Sequence, residues 1–116
     1  MIDLHSHIVP GFDDGARSME DALEMARMAA DSGVTILAAT SHGNLSQGDP
    51  GACLRDYRKR LAMLRREVRL AGIRLKLAGG MEILLTGETL RYAERHRLPG
   101  LRGGNWILAE FVFDIP

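Results

Sequence analysis

A chain of 116 residues with 46% hydrophobic and 26% charged side chains has the makeup of one soluble globular domain, which sets aside the disordered, collagenous and membrane classes. Its 15 basic and 15 acidic residues balance, so no wholesale affinity for nucleic acid or acidic membranes is expected. The longest apolar runs, Val34 to Ala39 and Trp106 to Ala109, fall far short of the ~20 residues of a membrane-spanning helix. Met1-Ile2-Asp3 opens no secretory signal, and the lone Cys53 fits a reducing compartment, so a cytoplasmic protein is expected.

The first stretch, Asp3-Leu4-His5-Ser6-His7, reads as a strand. Its side-chain period of two sets Asp3, His5 and His7 on one side, where two imidazoles form a pincer for a metal. Taken alone, a His-x-His pair is more often structural. Pro10-Gly11 and Asp13-Asp14-Gly15 then supply a turn that folds back over the strand end. Ser18 is the N-cap of a helix from about Met19 to Ser32, with Asp21 three residues on and Ala22, Met25, Ala26 and Ala29 at helical spacing up to Gly33.

Val34 to Thr40 is apolar on both faces, as in a strand covered by helices, and delivers Ser41-His42 at its end. Gly43 to Gly51 reads as a loop, and Asp49 with Pro50 opens the second helix. There Leu54, Tyr57, Leu61, Leu64, Val68 and Ala71 repeat at three and four until Gly72. Seven basic residues between Arg55 and Arg69, against Asp56 and Glu67, give this helix a basic face that is expected to be solvated surface, with a binding patch as the alternative. Ile73 to Ala78 alternates as a strand ending in Gly79-Gly80-Met81-Glu82. Thr86 caps a short helix through about His96, loops follow at Pro99-Gly100 and Gly103-Gly104, and Trp106 to Phe111 is the last strand.

The order β-α-β-α-β-α-β implies a parallel α/β sheet, whose functional groups gather at the carboxyl ends of the strands. Those ends carry His5 and His7, then His42, Glu82 and Glu110, with Asp13 or Asp14 from the first loop. Carboxylates crowded on one rim repel, and divalent cations resolve the conflict. Histidine and carboxylate ligands without thiolates suit Mn, Fe or Zn. Two or three bridged metals would activate water and clamp an oxyanion, so phosphoester hydrolysis is the natural chemistry.

The opening motif Met1 to Gly15, with Thr40-Ser41-His42, Gly80-Met81-Glu82 and Leu108-Ala109-Glu110-Phe111, resembles the bacterial PHP-type protein-tyrosine phosphatases of capsular and exopolysaccharide gene clusters. The resemblance covers essentially the whole chain. It implies a distorted, TIM-like β/α barrel with a trinuclear site, usually of manganese, that dephosphorylates phosphotyrosine on a partner tyrosine kinase controlling polysaccharide export. Carried over by position, His5 and His7 bind one metal, Glu82 bridges it to a second that Glu110 also holds, and Asp14 and His42 hold a third. Asp14 is favoured over Asp13 by spacing, with Asp13 behind it. The resemblance also makes Arg17 a candidate catalytic residue at the phosphate, against the plainer reading of a surface salt bridge, and gives Asp3 a role in orienting a ligand.

Two departures accompany the resemblance. Many relatives have Pro-His-His where this chain has Ser41-His42-Gly43. Members are about twice this long and draw further ligands, a histidine in one motif and an aspartate and a histidine in another, from a C-terminal half. Residues 1–116 are therefore expected to form a single, incomplete catalytic domain, the first half of the barrel.

Rival readings are another PHP phosphoesterase, such as a histidinol-phosphate phosphatase, and an inactive metal-binding half-barrel that self-associates through its open sheet. A cysteine-dependent phosphatase is set aside, because Cys53 lies in a helix without a glycine-rich loop ending in arginine.

Overall fold

The computed structural model describes residues 1–43, 49–84, 87–96, 100–103 and 108–110, and of 42–43, 84, 87–88, 103 and 110 the backbone alone. Four strands, β1 (Ile2–Asp3), β2 (Ile36–Gly43), β3 (Lys76–Leu84) and β4 (Leu108–Glu110), pair in parallel in the order β1-β2-β3-β4. Between them run α1 (Met19–Asp31), α2 (Pro50–Leu70), α3 (Gly87–Ala93) and a 3-10 turn at Leu101–Gly103. Strands that follow one another in space as in sequence are the arrangement of a β/α barrel, whereas a doubly wound sheet reverses its order partway.

The two long helices begin where their caps dictate. The Ser18 hydroxyl accepts the Asp21 N–H at 3.2 Å, and Asp49 Oδ1 accepts those of Gly51 and Ala52 at 2.9 and 3.3 Å. Beyond their ends, Gly33 and Gly72 take φ of 93° and 71°. The apolar stripe of α2, Leu54, Tyr57, Leu61, Leu64 and Val68, is buried against one face of the sheet, made by Leu37 and Ala39 of β2 and Leu77, Met81 and Ile83 of β3. Ala22 and Ala26 of α1 join the same core. The opposite face, with Thr40, Gly80 and Glu82 at alternate positions, is left for the site.

Two expectations change in the folded chain. The first strand is shorter than the sequence pattern suggests, because its backbone ladder stops at Asp3, and His5 and His7 lie beyond it. The register nevertheless continues: the Ser6 N–H donates to Thr40 Oγ1 at 2.9 Å, and the Ser6 hydroxyl donates to the Ala38 carbonyl at 2.7 Å. Side chains here do the work of the ladder. The third strand begins at Lys76 rather than Ile73 and runs through Gly79-Gly80, which look like breakers in isolation. Gly80 takes a φ of 158°, which residues with side chains rarely adopt, and a Cβ there would push Leu101 Cδ2 aside from 2.9 Å.

The basic face of α2 is exposed as expected, with Arg60 alone half-buried, and two of its cations also hold backbone carbonyls. Arg60 donates from Nη1 to the Pro10 carbonyl at 3.1 Å while its Nε faces both Asp56 oxygens at 3.0 Å. Arg65 donates from Nε and Nη2 to the Leu77 carbonyl at 3.0 and 2.8 Å. That carbonyl lies on the stretch of β3 before Glu82, where β4 pairing begins, so the guanidinium satisfies a strand-edge acceptor. The expected cap Thr86, residues 44–48 of the expected loop, and Trp106, Ile107 and Phe111 of the last expected strand lie outside the described residues.

Tyr57 joins these parts. Its hydroxyl donates to the Ala39 carbonyl at 2.6 Å and accepts the Gly80 N–H at 2.9 Å, so one side chain of α2 bridges β2 and β3. Its ring meets Phe12 of the first loop edge-on at 5.7 Å. Burial pushes the phenol above its ordinary pKa, against smaller opposing effects of the Gly80 hydrogen bond and Arg65. The folded chain therefore holds the proton where the unfolded chain releases it. This contribution is intact below the unfolded value of about pH 10 and is lost as pH rises through the raised one. Tyr57→Phe orphans two buried backbone groups and is expected to cost ~1–3 kcal/mol at neutral pH. Urea titrations from neutral to strongly alkaline pH should show that deficit, and a shallower alkaline loss than in the parent.

Candidate metal centre

Beyond the end of β1 the chain turns across the top of β2 and brings His5 and His7 to Glu82 of β3. His5 Nε2 lies 2.9 Å and His7 Nε2 3.1 Å from Glu82 Oε2, and the two Nε2 atoms are 3.1 Å apart. Three donor atoms thus close a triangle of nearly equal sides. Ligands ~2.1 Å from one ion stand ~3 Å apart at neighbouring octahedral corners and ~3.4 Å apart in a tetrahedron. The donor set therefore fits one face of an octahedral divalent cation. Two imidazole lone pairs and a carboxylate at these separations repel unless a positive charge lies among them.

His7 is held from behind. Its Nδ1 meets Asp13 Oδ2 at 3.0 Å, and Asp13 Oδ1 accepts the Gly15 N–H at 2.9 Å. An Nδ1–H donated to a carboxylate leaves the Nε2 lone pair for a metal, and the tautomer is assigned from these partners. Asp13 is only 6% exposed with both oxygens engaged, whereas Asp14 is 79% exposed, with Oδ1 3.9 Å from the same His7 nitrogen. His7, Asp13 and Asp14 form a second group of potential ligands, an alternative to the first because a proton on Nδ1 closes that nitrogen to a metal.

The first loop has the local structure this requires. Ile8, Val9 and Ala16 are fully buried and anchor its two ends. The Ala16 N–H donates to the His7 carbonyl at 3.0 Å, and the Gly11 N–H to the Ala16 carbonyl at 2.9 Å. Gly15 passes so close to His7 that an added Cβ would lie 2.0 Å from its carbonyl oxygen. Asp3, expected to orient a ligand, meets His5 at its backbone: Asp3 Oδ1 accepts the His5 N–H at 3.1 Å.

The remaining candidates divide. His42 is the register partner of Glu82, and Glu110 pairs with Leu84, so the backbone puts both at the same end of the sheet as the triangle. Their side chains lie outside the described residues. Arg17 is exposed, its backbone N–H is 3.4 Å from Asp21 Oδ2, and among the described residues its side chain makes no ion pair. Cys53 packs partly buried beside the core, and burial, then the Asp56 charge, raise its thiol pKa. That is the reverse of what a thiolate nucleophile needs. Sequence reasoning missed the supports: Gly15 against His7, Tyr57 between the strands, and Arg60 on Pro10. Only the Asp-Asp-Gly run signalled a tight turn there.

A parallel β/α sheet in sequential order, with histidines and a carboxylate converging at its carboxyl ends, defines a half-barrel whose rim carries a group of side chains able to hold a metal ion. The family model described as capsular polysaccharide synthesis, CpsB/CapC, matches residues 1–115, and the chain belongs to that family. It is 35% identical over 116 residues to tyrosine-protein phosphatase YwqE of Bacillus subtilis (strain 168), covering 98% of this chain and 44% of that protein. It is 30% identical over 112 residues to tyrosine-protein phosphatase CpsB of Streptococcus pneumoniae, covering 96% of this chain and 45% of that protein.

A crystal structure from work on YwqE of Bacillus subtilis and CpsB of Streptococcus pneumoniae, described as unique metal-dependent tyrosine phosphatases, superposes with a TM-score of 0.81 at 34% identity. It covers 100% of this chain and 47% of that one. The expected first half of a PHP-type distorted β/α barrel is therefore the observed fold, and the chain spans under half the length of these relatives.

Gly15→Ala tests the geometry directly. The methyl cannot enter without moving His7, so Mn²⁺ affinity measured by calorimetry is expected to fall about tenfold or more, the range for a displaced support of a ligand. Overpacking should also cost ~1–3 kcal/mol in urea unfolding.

Proposed function

We propose that this chain supplies the N-terminal metal ligands of a metal-dependent protein-tyrosine phosphatase. Its substrate in that reading is phosphotyrosine on a bacterial tyrosine kinase that regulates capsular or exopolysaccharide synthesis, in the cytoplasm. The carrying observation is the triangle of His5 Nε2, His7 Nε2 and Glu82 Oε2, and the relatives' names supply the substrate class. His5, His7 and Glu82 would hold one ion. Asp14 and His42, and Glu110 with Glu82, would hold the others of a di- or trinuclear manganese site, with iron or zinc as alternatives. Bound divalent cations supply Lewis acidity to a phosphoryl oxygen and a lowered pKa to water.

The chain's own residues do the arranging. Asp13 keeps the His7 proton on Nδ1, the Ser6–Thr40 bonds fix the segment that carries both histidines, and Arg17 is the cation offered to the phosphate. Because the chain spans under half of its relatives, it is expected to bind Mn²⁺ yet hydrolyse a phosphotyrosine peptide slowly until the remaining ligands are supplied.

His5→Ala should weaken Mn²⁺ binding at least tenfold or so by calorimetry and abolish any Mn²⁺-dependent turnover. Unchanged Mn²⁺ binding in that variant would overturn the metal assignment. Faster hydrolysis of small phosphomonoesters than of the phosphotyrosine peptide would overturn the substrate and favour another phosphoesterase.

A second reading rests on the exposed edge. Met1, Ile2 and Leu4 at and beside β1 are 73%, 59% and 56% exposed, a patch suited to self-association of the half-barrel. Light scattering should then show a dimer that Ile2→Glu dissociates, and a strictly monomeric parent chain would refute it.

A further inference from the structure

Away from the metal rim, a cleft of about 870 Å³ opens between α2, the first half of β3 and the 3-10 turn. Arg58, Arg65, Arg69, Lys76 and Arg102 line it, and no described acidic residue does. Arg58, Arg65 and Arg69 are spaced to share one face of α2. None of the five forms an ion pair among the described residues, in a chain whose charges balance only when these five are counted. Arg65 is already fixed by two bonds to the Leu77 carbonyl. Arg102 takes φ 54° and ψ 28°, a left-handed conformation uncommon for a residue with a long side chain, although Gly103 is next in sequence.

The floor is of another kind. Leu61, Val68 and Leu75 form part of it, beside the backbone of β3 from Lys76 to Gly80. Cations gathered around an apolar, low-dielectric wall focus a positive potential that water alone does not neutralise. A single phosphate fills a small part of such a volume and has nothing to offer the floor. A polypeptide with carboxylates for the rim and apolar side chains for the floor answers both. We infer that this cleft is a docking surface for an acidic polypeptide segment with interleaved apolar residues, separate from the metal centre.

The test uses fluorescence anisotropy with a fluorescein-labelled peptide of Glu-Glu-Leu repeats. Arg58→Glu with Arg69→Glu reverses two exposed cations of the cleft, and Lys59→Glu with Arg66→Glu makes the same change on exposed positions of α2 outside it. Far-UV circular dichroism verifies that both pairs fold. The cleft pair is expected to bind the peptide about tenfold more weakly than the parent, and the outside pair nearly as well as the parent. A peptide of Glu-Glu-Ser repeats should bind more weakly than the leucine peptide. Equal losses in the two pairs, equal binding of the serine peptide, or tighter binding of an oligonucleotide of the same charge would each overturn the proposal.

Discussion

The hydroxyl of Tyr57 is the point on which the arrangement turns. It donates to Ala39 on one strand, accepts from Gly80 on the next, and its ring supports Phe12 of the loop behind His7. A buried phenol without those two partners would be a liability, because desolvated polar groups cost free energy unless they are paired. With them, it fixes α2 against the sheet three residues before His42 on β2 and two before Glu82 on β3. The position of the Glu82 carboxylate is thus inherited from a helix that contributes no ligand.

The loop depends on the same helix by a different kind of bond. Arg60 grips the Pro10 carbonyl, so the Asp13-Asp14-Gly15 turn is held from α2 as well as from its own ends. Asp13 then transmits that placement to the His7 ring. Support of this sort suits a centre built from like-charged and lone-pair donors, which would separate if their scaffold were free to relax. Of the cationic side chains of α2, Arg60 and Arg65 hold carbonyls, and Arg58, Arg65 and Arg69 line the cleft.

Much of this was legible from local chemistry. Ser18, Asp49 and Pro50 announced where the helices begin, since caps act within a few residues of themselves. The stripe from Leu54 to Val68 announced which side of α2 is buried, and His5, His7, His42, Glu82 and Glu110 stood out as polar groups at strand ends. The short ladder of β1 was not legible, because Ser6 and Thr40 replace backbone bonds with side-chain bonds across 34 residues. Nor was the extension of β3 through Gly79-Gly80, where a strand partner and Tyr57 outweigh the low strand propensity of glycine. The docking of Arg60 and Arg65 was hidden as well, since helical periodicity records which face is charged but not which carbonyl lies within reach.

The sequence by itself determined the β/α order, the helix boundaries, and the inventory of imidazoles and carboxylates that a hard-metal site needs. These follow from short-range preferences and side-chain chemistry. Only the tertiary structure decided that His5, His7 and Glu82 meet within 3.1 Å, that Asp13 and not Asp14 is the buried partner of His7, and that Gly15 must lack a side chain. The reason is physical: such separations are set by how a helix, a loop and two strands pack, and close packing fixes distances that no periodicity along one segment encodes.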